Sequence, residues 1–345
     1  MSDRLRERWI LAAAAGAAAL GAGFAVQRRF KRRIAEDPER AALSSPPKGR
    51  PIEVRSADGT VLHAEAFGSE DAPTIVLAHG WTESLSYWTY QTRELTQRGL
   101  RIVAYDLRGH GESDPGAGDD YSVARFGEDL EAVLASCVPE GQRAMVVGHS
   151  LGAMSIAAWA EHHDVEQRAA AAALINTGVG DLIAEQLLVP VPTLAQALNQ
   201  TVAVNGFLGS RAPLPRFSTP LLAAAIRHIA FGPAATPAQV AFYERMLIAS
   251  PPDARARVGI ALSEVELYDA LPRLTIPTIV IAGAKDRLTP PSHARRIAEM
   301  LPKLEGLTVL VDTGHMAPLE RHREVTELLA QLSATIGHPA GVVSA

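Results

Sequence analysis

Short apolar runs recur along the chain at 74–78, 101–105, 143–148, 171–176, 277–282 and 307–311. Spans with helical spacing separate or follow them, at 84–98, 122–137, 151–163, 291–300 and 320–334. Apolar strands alternating with amphipathic helices predict an α/β fold, a mostly parallel sheet covered on both faces. Pro51 to Arg55 and Val61 to Phe67 alternate in part and flank the turn segment Ser56-Ala57-Asp58-Gly59-Thr60, which predicts an antiparallel edge hairpin and brings the sheet to eight strands. Pro290-Pro291 marks a helix start, where the missing N–H costs little. The interval 181–268 is too long for a crossover loop. Its partly periodic apolar stretches at 182–189, 193–207, 220–230 and 237–249, punctuated by prolines, predict a helical cap.

The first fifty residues follow a different pattern. Trp9 through Val26 is an uncharged run of eighteen residues, and Arg28-Arg29-Phe30-Lys31-Arg32-Arg33 follows shortly after. This combination predicts a membrane anchor at 9–26 with the catalytic domain held on the cytoplasmic side. A cleaved export signal and a soluble Ala-rich helix are the alternatives. The expected division is anchor and basic flank at 1–33, tether at 34–50, core at 51–180 and 269–335, cap at 181–268, and flexible tail at 336–345.

Candidate chemistry gathers where strands end. Gly148-His149-Ser150-Leu151-Gly152 follows an apolar strand, and small residues on either side of Ser150 permit the sharp strand-to-helix turn that exposes a nucleophile. Asp286 follows the strand at 277–282, and His315 follows the strand at 307–311. A Ser hydroxyl needs an imidazole to take its proton, and the imidazole needs a carboxylate to hold its tautomer, so the order Ser150, Asp286, His315 predicts a catalytic triad. Asp181 is the alternative acid. The developing oxyanion needs two donors, for which the backbone N–H groups of Leu151 and of Trp81, in the His79-Gly80-Trp81 loop, are the candidates. Asp106, Arg108 and His110 read better as holders of a compact turn than as catalysts.

These motifs resemble the α/β-hydrolase family, in particular its lid-bearing branch of esterases, cofactor-free haloperoxidases or perhydrolases, and carbon–carbon bond hydrolases. The resemblance runs from about Pro51 to Leu332 and rests on His79-Gly80-Trp81, Tyr105 to Ser113, the Ser150 elbow, Gly283 to Pro290 and Gly314 to Glu320. It implies the α/β-hydrolase fold and hydrolysis of a small or lipophilic carboxylic ester through a Ser150 acyl-enzyme. Carbon–carbon hydrolysis or perhydrolysis is the alternative, and a non-catalytic membrane-associated binding protein is a third reading. The family's epoxide hydrolases and dehalogenases imply an Asp nucleophile, where this chain has Ser150. Substrate selection is expected in the cap, with Trp81, Leu187, Leu188, Leu194, Phe207, Phe242, Tyr243, Met246 and Met316 as candidate pocket residues. No cluster of charges in the cap announces an anionic ligand.

Charge narrows the classes further. The net charge of −5 hides eight basic and two acidic residues before Ile34; the remainder holds 25 basic against 36 acidic residues, a net of −11. Such a body repels phosphate backbones, so nucleic acid is not an expected partner. Cys137 is the lone cysteine, His162-His163 do not share a helix face, and no phosphate-binding glycine motif is complete. Neither metal nor cofactor is expected, and the oligomeric state stays open.

Overall fold

The computed structural model describes residues 24–182, 208–215 and 217–336. Eight strands form one sheet: β1 (Arg50–Arg55), β2 (Val61–Phe67), β3 (Thr74–Ala78), β4 (Arg101–Tyr105), β5 (Ala144–His149), β6 (Ala169–Ile175), β7 (Thr278–Gly283) and β8 (Leu304–Leu310). Their spatial order is β1-β2-β4-β3-β5-β6-β7-β8. The β1–β2 and β2–β4 pairs are antiparallel, and every later pair is parallel. The predicted edge hairpin and parallel sheet are therefore both present.

Alternation within a strand supplies both cores. Val76 and Ala78 of β3 and Val146 of β5 join one buried cluster, while Ile75, Leu77, Met145 and Val147 join the other. A short helix α1 (Arg40–Ser44) precedes the sheet, and α2 (Thr89–Gln97), α3 (Val123–Cys137), α4 (Leu151–His162) and α5 (Val165–Arg168) lie between its strands. Leu95 of α2 packs into the second cluster, whereas Phe126 of α3 and Met154 of α4 pack into the first. Central strands are buried on both faces, which is why β3, β4 and β5 are apolar throughout apart from the buried polar residues Thr74, Arg101 and His149 at their ends.

The cap contributes α6 (Pro220–Ala230), α7 (Pro237–Ala249) and α8 (Pro252–Ser263), each with proline in its first turn. Thr219 and Thr236 cap the first two by accepting the N–H of Leu222 and Gln239, and Gln239 returns a bond to the Thr236 N–H. After β7 come α9 (Pro291–Met300), α10 (Ala317–Glu320) and α11 (His322–Ile336). The stretch 183–207, which includes Leu187, Leu188, Leu194 and Phe207, lies outside the described residues.

The membrane expectation is corrected. Among the described residues no helix is long and apolar enough to cross a bilayer. The helical stretch at 24–35 is short and carries the basic block Arg28 to Arg33, and charged side chains at that density cannot be buried in hydrocarbon. The anchor, the membrane partner and the localisation drawn from it are withdrawn; residues 9–23 of the run lie outside the described residues.

Residues 37–45 pack as a strap between core and cap. Asp37 accepts the Ala238 N–H at 3.0 Å, Gln239 Nε2 donates to Glu39 at 2.7 Å, and Arg245 donates to the Leu43 carbonyl at 3.2 Å. On the core side, Arg93 reaches the Ser45 carbonyl and Leu43 is buried.

Candidate active site

Ser150 sits between β5 and α4 with φ 51° and ψ −116°, a conformation that the close packing of its neighbours imposes. A Cβ on Gly148 would lie 2.4 Å from the Ala153 nitrogen, and one on Gly152 would lie 2.2 Å from the Ala78 carbonyl oxygen. Both glycines are therefore dictated by backbone approach. The turn is fixed by the Ser150 N–H on the Ile175 carbonyl and by the Thr177 hydroxyl on the Ser150 carbonyl, each at 2.9 Å.

His315 follows β8, and its Nδ1–H donates to Asp286 Oδ2 at 2.8 Å. That carboxylate also accepts the Asn176 amide, the Thr289 hydroxyl and the Leu288 and Thr289 backbone N–H groups. Burial alone would raise the Asp286 pKa, but the charge and hydrogen bond of His315, with the Thr289 and Asn176 bonds, outweigh it and hold the carboxyl below its ordinary value. Asp181 is elsewhere: it accepts from Tyr268 and Arg296 at the surface. The alternative acid thus does not meet His315.

The loop after β3 is fixed group by group. Leu107 N–H donates to His79 Nε2 at 3.0 Å, so the His79 proton sits on Nδ1 and donates to the Gly80 carbonyl at 2.7 Å. Burial, with His110 and His149 nearby, keeps this ring neutral by pushing its pKa well below 6.5. Gly80 N–H donates to Glu83 at 2.5 Å. With Gly80 occupied, the next free amide is Trp81, and neither it nor the Leu151 N–H donates to another described residue. Asp106 accepts the Leu85 and Glu112 N–H groups, and Arg108 is clamped between Asp58 and Asp129, so this neighbouring loop has the supporting role expected of it.

Ser150 and His315 open onto a cavity of about 290 Å³ beneath the cap. Trp81, Met154, Ile226, Tyr243, Leu288 and Met316 are among its mainly apolar lining. Tyr243 and Leu247, one turn apart on α7, face it, whereas Phe242 and Met246 face a second cavity on the other side of that helix. Of the expected pocket residues, Trp81, Tyr243 and Met316 are brought to Ser150; Phe242 and Met246 are not.

Two carboxylates behind the site, the buried Glu83 and the half-buried Glu320, have no signal in sequence spacing. Glu83 pairs with His149 Nδ1 at 3.1 Å, and His149 Nε2 lies 2.9 Å from the His315 carbonyl oxygen. A carbonyl only accepts, so Nε2 carries a hydrogen. Burial opposes a charged His149, but the Glu83 carboxylate overrides it and raises the pKa above the usual value. Glu83 and His149 thereby tie the Gly80 loop, the Ser150 elbow and the His315 backbone together. Glu320 accepts the N–H groups of Gly314 at 3.0 Å and Gly232 at 2.8 Å, and burial pushes its pKa to about 7. His315 N–H donates to the Ala230 carbonyl at 2.7 Å, so the end of α6 is bonded directly to the histidine loop.

Comparison with known proteins agrees with this architecture. The chain is 26% identical over 284 residues to the AB hydrolase superfamily protein YisY of Bacillus subtilis, covering 81% of this chain and 98% of that one. It is 28% identical over 268 residues to a non-heme haloperoxidase of Rhodococcus erythropolis, covering 76% and 92%. It is 25% identical over 251 residues to the bifunctional esterase/perhydrolase DCH of Acinetobacter calcoaceticus, covering 69% and 83%. The family model for the alpha/beta hydrolase fold matches residues 73–322, and the chain belongs to that family of hydrolytic enzymes.

Proposed function

We propose that the protein transfers the acyl group of an ester through a Ser150 acyl-enzyme to a small acceptor, peroxide as well as water. The observation that carries this reading is His315, paired with the buried Asp286, opening together with Ser150 onto one apolar cavity. Ser150 Oγ attacks the ester carbonyl as His315 Nε2 takes its proton. The Trp81 and Leu151 N–H groups receive the oxyanion. The alcohol leaves with the proton, and water or hydrogen peroxide attacks the acyl-enzyme to give an acid or a peracid. Asp286, held ionised, stabilises the imidazolium formed in each half.

The peroxide acceptor is favoured by the similarity to a haloperoxidase and to a bifunctional esterase/perhydrolase, each over at least two thirds of this chain. An apolar cavity suits a lipophilic acyl group and limits competing water. The test is turnover of short acyl esters with and without hydrogen peroxide. Peracid formation, read by bromide oxidation and lost in Ser150→Ala, is the expected result. Acid as the sole product at saturating peroxide would restrict the enzyme to hydrolysis, and turnover that survives Ser150→Ala would end the mechanism.

A further inference from the structure

Arg255 stands out in the cavity that holds Ser150. It belongs to α8 in the cap, lines the cavity, and is only 7% exposed. Nη2 donates to the carbonyl oxygens of Ala212 at 2.6 Å and Ser210 at 3.4 Å. Its Nε and Nη1 groups donate to no described residue, and no carboxylate among the described residues forms an ion pair with it. Burial lowers its pKa, yet a guanidinium does not lose its proton in a protein. Arg257, two residues further along α8, by contrast pairs with Asp119 at 2.9 Å.

A buried cation with no counter-ion among the described residues is costly to keep, and apolar side chains of similar volume would line an ester pocket without that cost. The position is also fixed relative to the site, because Trp81 Nε1 donates to the Arg255 carbonyl at 3.0 Å. We propose that Arg255 selects substrates bearing a second, acidic group, a carboxylate or phosphate, in addition to the ester cleaved at Ser150. The inference rests on the acyl-transfer reading above and names its substrate class. The apolar lining holds the hydrocarbon between the two groups, and Arg255 supplies the charge partner through Nε and Nη1, which bond to no described residue.

The test compares matched esters on the full chain: 4-nitrophenyl pentanoate against the 4-nitrophenyl monoester of glutaric acid, and phenyl butyrate against its 3-carboxyphenyl and 3-phosphophenyl counterparts. In at least one set an acidic member should exceed the neutral one by about 10-fold or more in kcat/KM, as expected of a charged hydrogen bond in a buried site. Arg255→Met should bring that ratio to within about 2-fold of one, and Arg255→Lys should retain part of it. Equal kcat/KM values within every set for the wild-type protein, or a preference that Arg255→Met leaves intact, would overturn the assignment. Binding to full-length Ser150→Ala separates this from the chemistry and covers a Met variant that does not fold. Monoethyl glutarate or 3-phosphophenyl butyrate should bind at least about 10-fold tighter than its neutral partner, ethyl pentanoate or phenyl butyrate. Equal affinities within both pairs overturn the proposal, whatever the turnover results.

Discussion

At the scale of single residues, the account makes separable demands. Ser150→Ala should lower ester turnover at least about 10³-fold while leaving the thermal unfolding curve in place, because a nucleophile is removed without a packing change. Glu83→Gln is a different experiment. It keeps the size of the side chain but removes the charge that holds His149 and Gly80 together. The expected result is a fall in kcat of about 10- to 100-fold with KM nearly constant, as for a misplaced oxyanion donor. A change in KM alone would place Glu83 outside this role.

Glu320 gives a pH test. Its pKa in the folded chain is raised to about 7 from 4.5, so the native state binds more protons than the unfolded state between those values. Its contribution therefore lowers stability as pH rises from about 4.5 to 7. Denaturant unfolding at pH 5 and pH 7.5 should show a smaller drop in Glu320→Gln than in the wild-type protein. Asp286 has the opposite sign: its lowered pKa gives stability that is present above 3.8 and lost only as pH falls through the depressed folded value.

At the scale of elements, the apolar runs located the strands to within a few residues, and Ser150, Asp286 and His315 were legible because each follows one. The helix α8 was less legible, since Pro251-Pro252 reads as an interruption while in the fold Pro252 opens a helix. Glu83, His149 and Glu320 were not legible as a group. The Glu83–His149, His149–His315 and Glu320–Gly232 bonds span 66, 166 and 88 positions, and local periodicity carries no such information. The junction between α6 and the histidine loop makes its own demand. A Cβ on Gly232 would lie 2.3 Å from the Asp312 carbonyl oxygen and 2.7 Å from the Gly314 nitrogen. Gly232→Ala should cost about 2–3 kcal/mol and depress kcat, since relief of the clash displaces His315. Unaltered unfolding and turnover would refute that coupling.

At the scale of the whole molecule, the N-terminal region is more than a lead into the fold. The basic run and the uncharged run before it predict an anchor that no described helix supports, and composition does not reveal that residues 37–45 bond to both core and cap. Removing residues 1–33 should leave stability near that of the full chain. Removing residues 1–45 should cost about 2–4 kcal/mol, of which burial of Leu43 accounts for about 1.5–3 kcal/mol. Equal melting temperatures for the two truncations would show that the strap contributes nothing to stability.

The central claim is the covalent step at Ser150. Full-length protein mixed with a 4-nitrophenyl ester and quenched in acid within the first turnover would be measured by intact mass and by peptide mapping. A mass increase equal to one acyl group, confined to the peptide containing Ser150 and absent in Ser150→Ala, is the expected result. Turnover by the wild-type protein without an acyl adduct at Ser150, in a rapid-quench series that resolves the first turnover, would contradict the account.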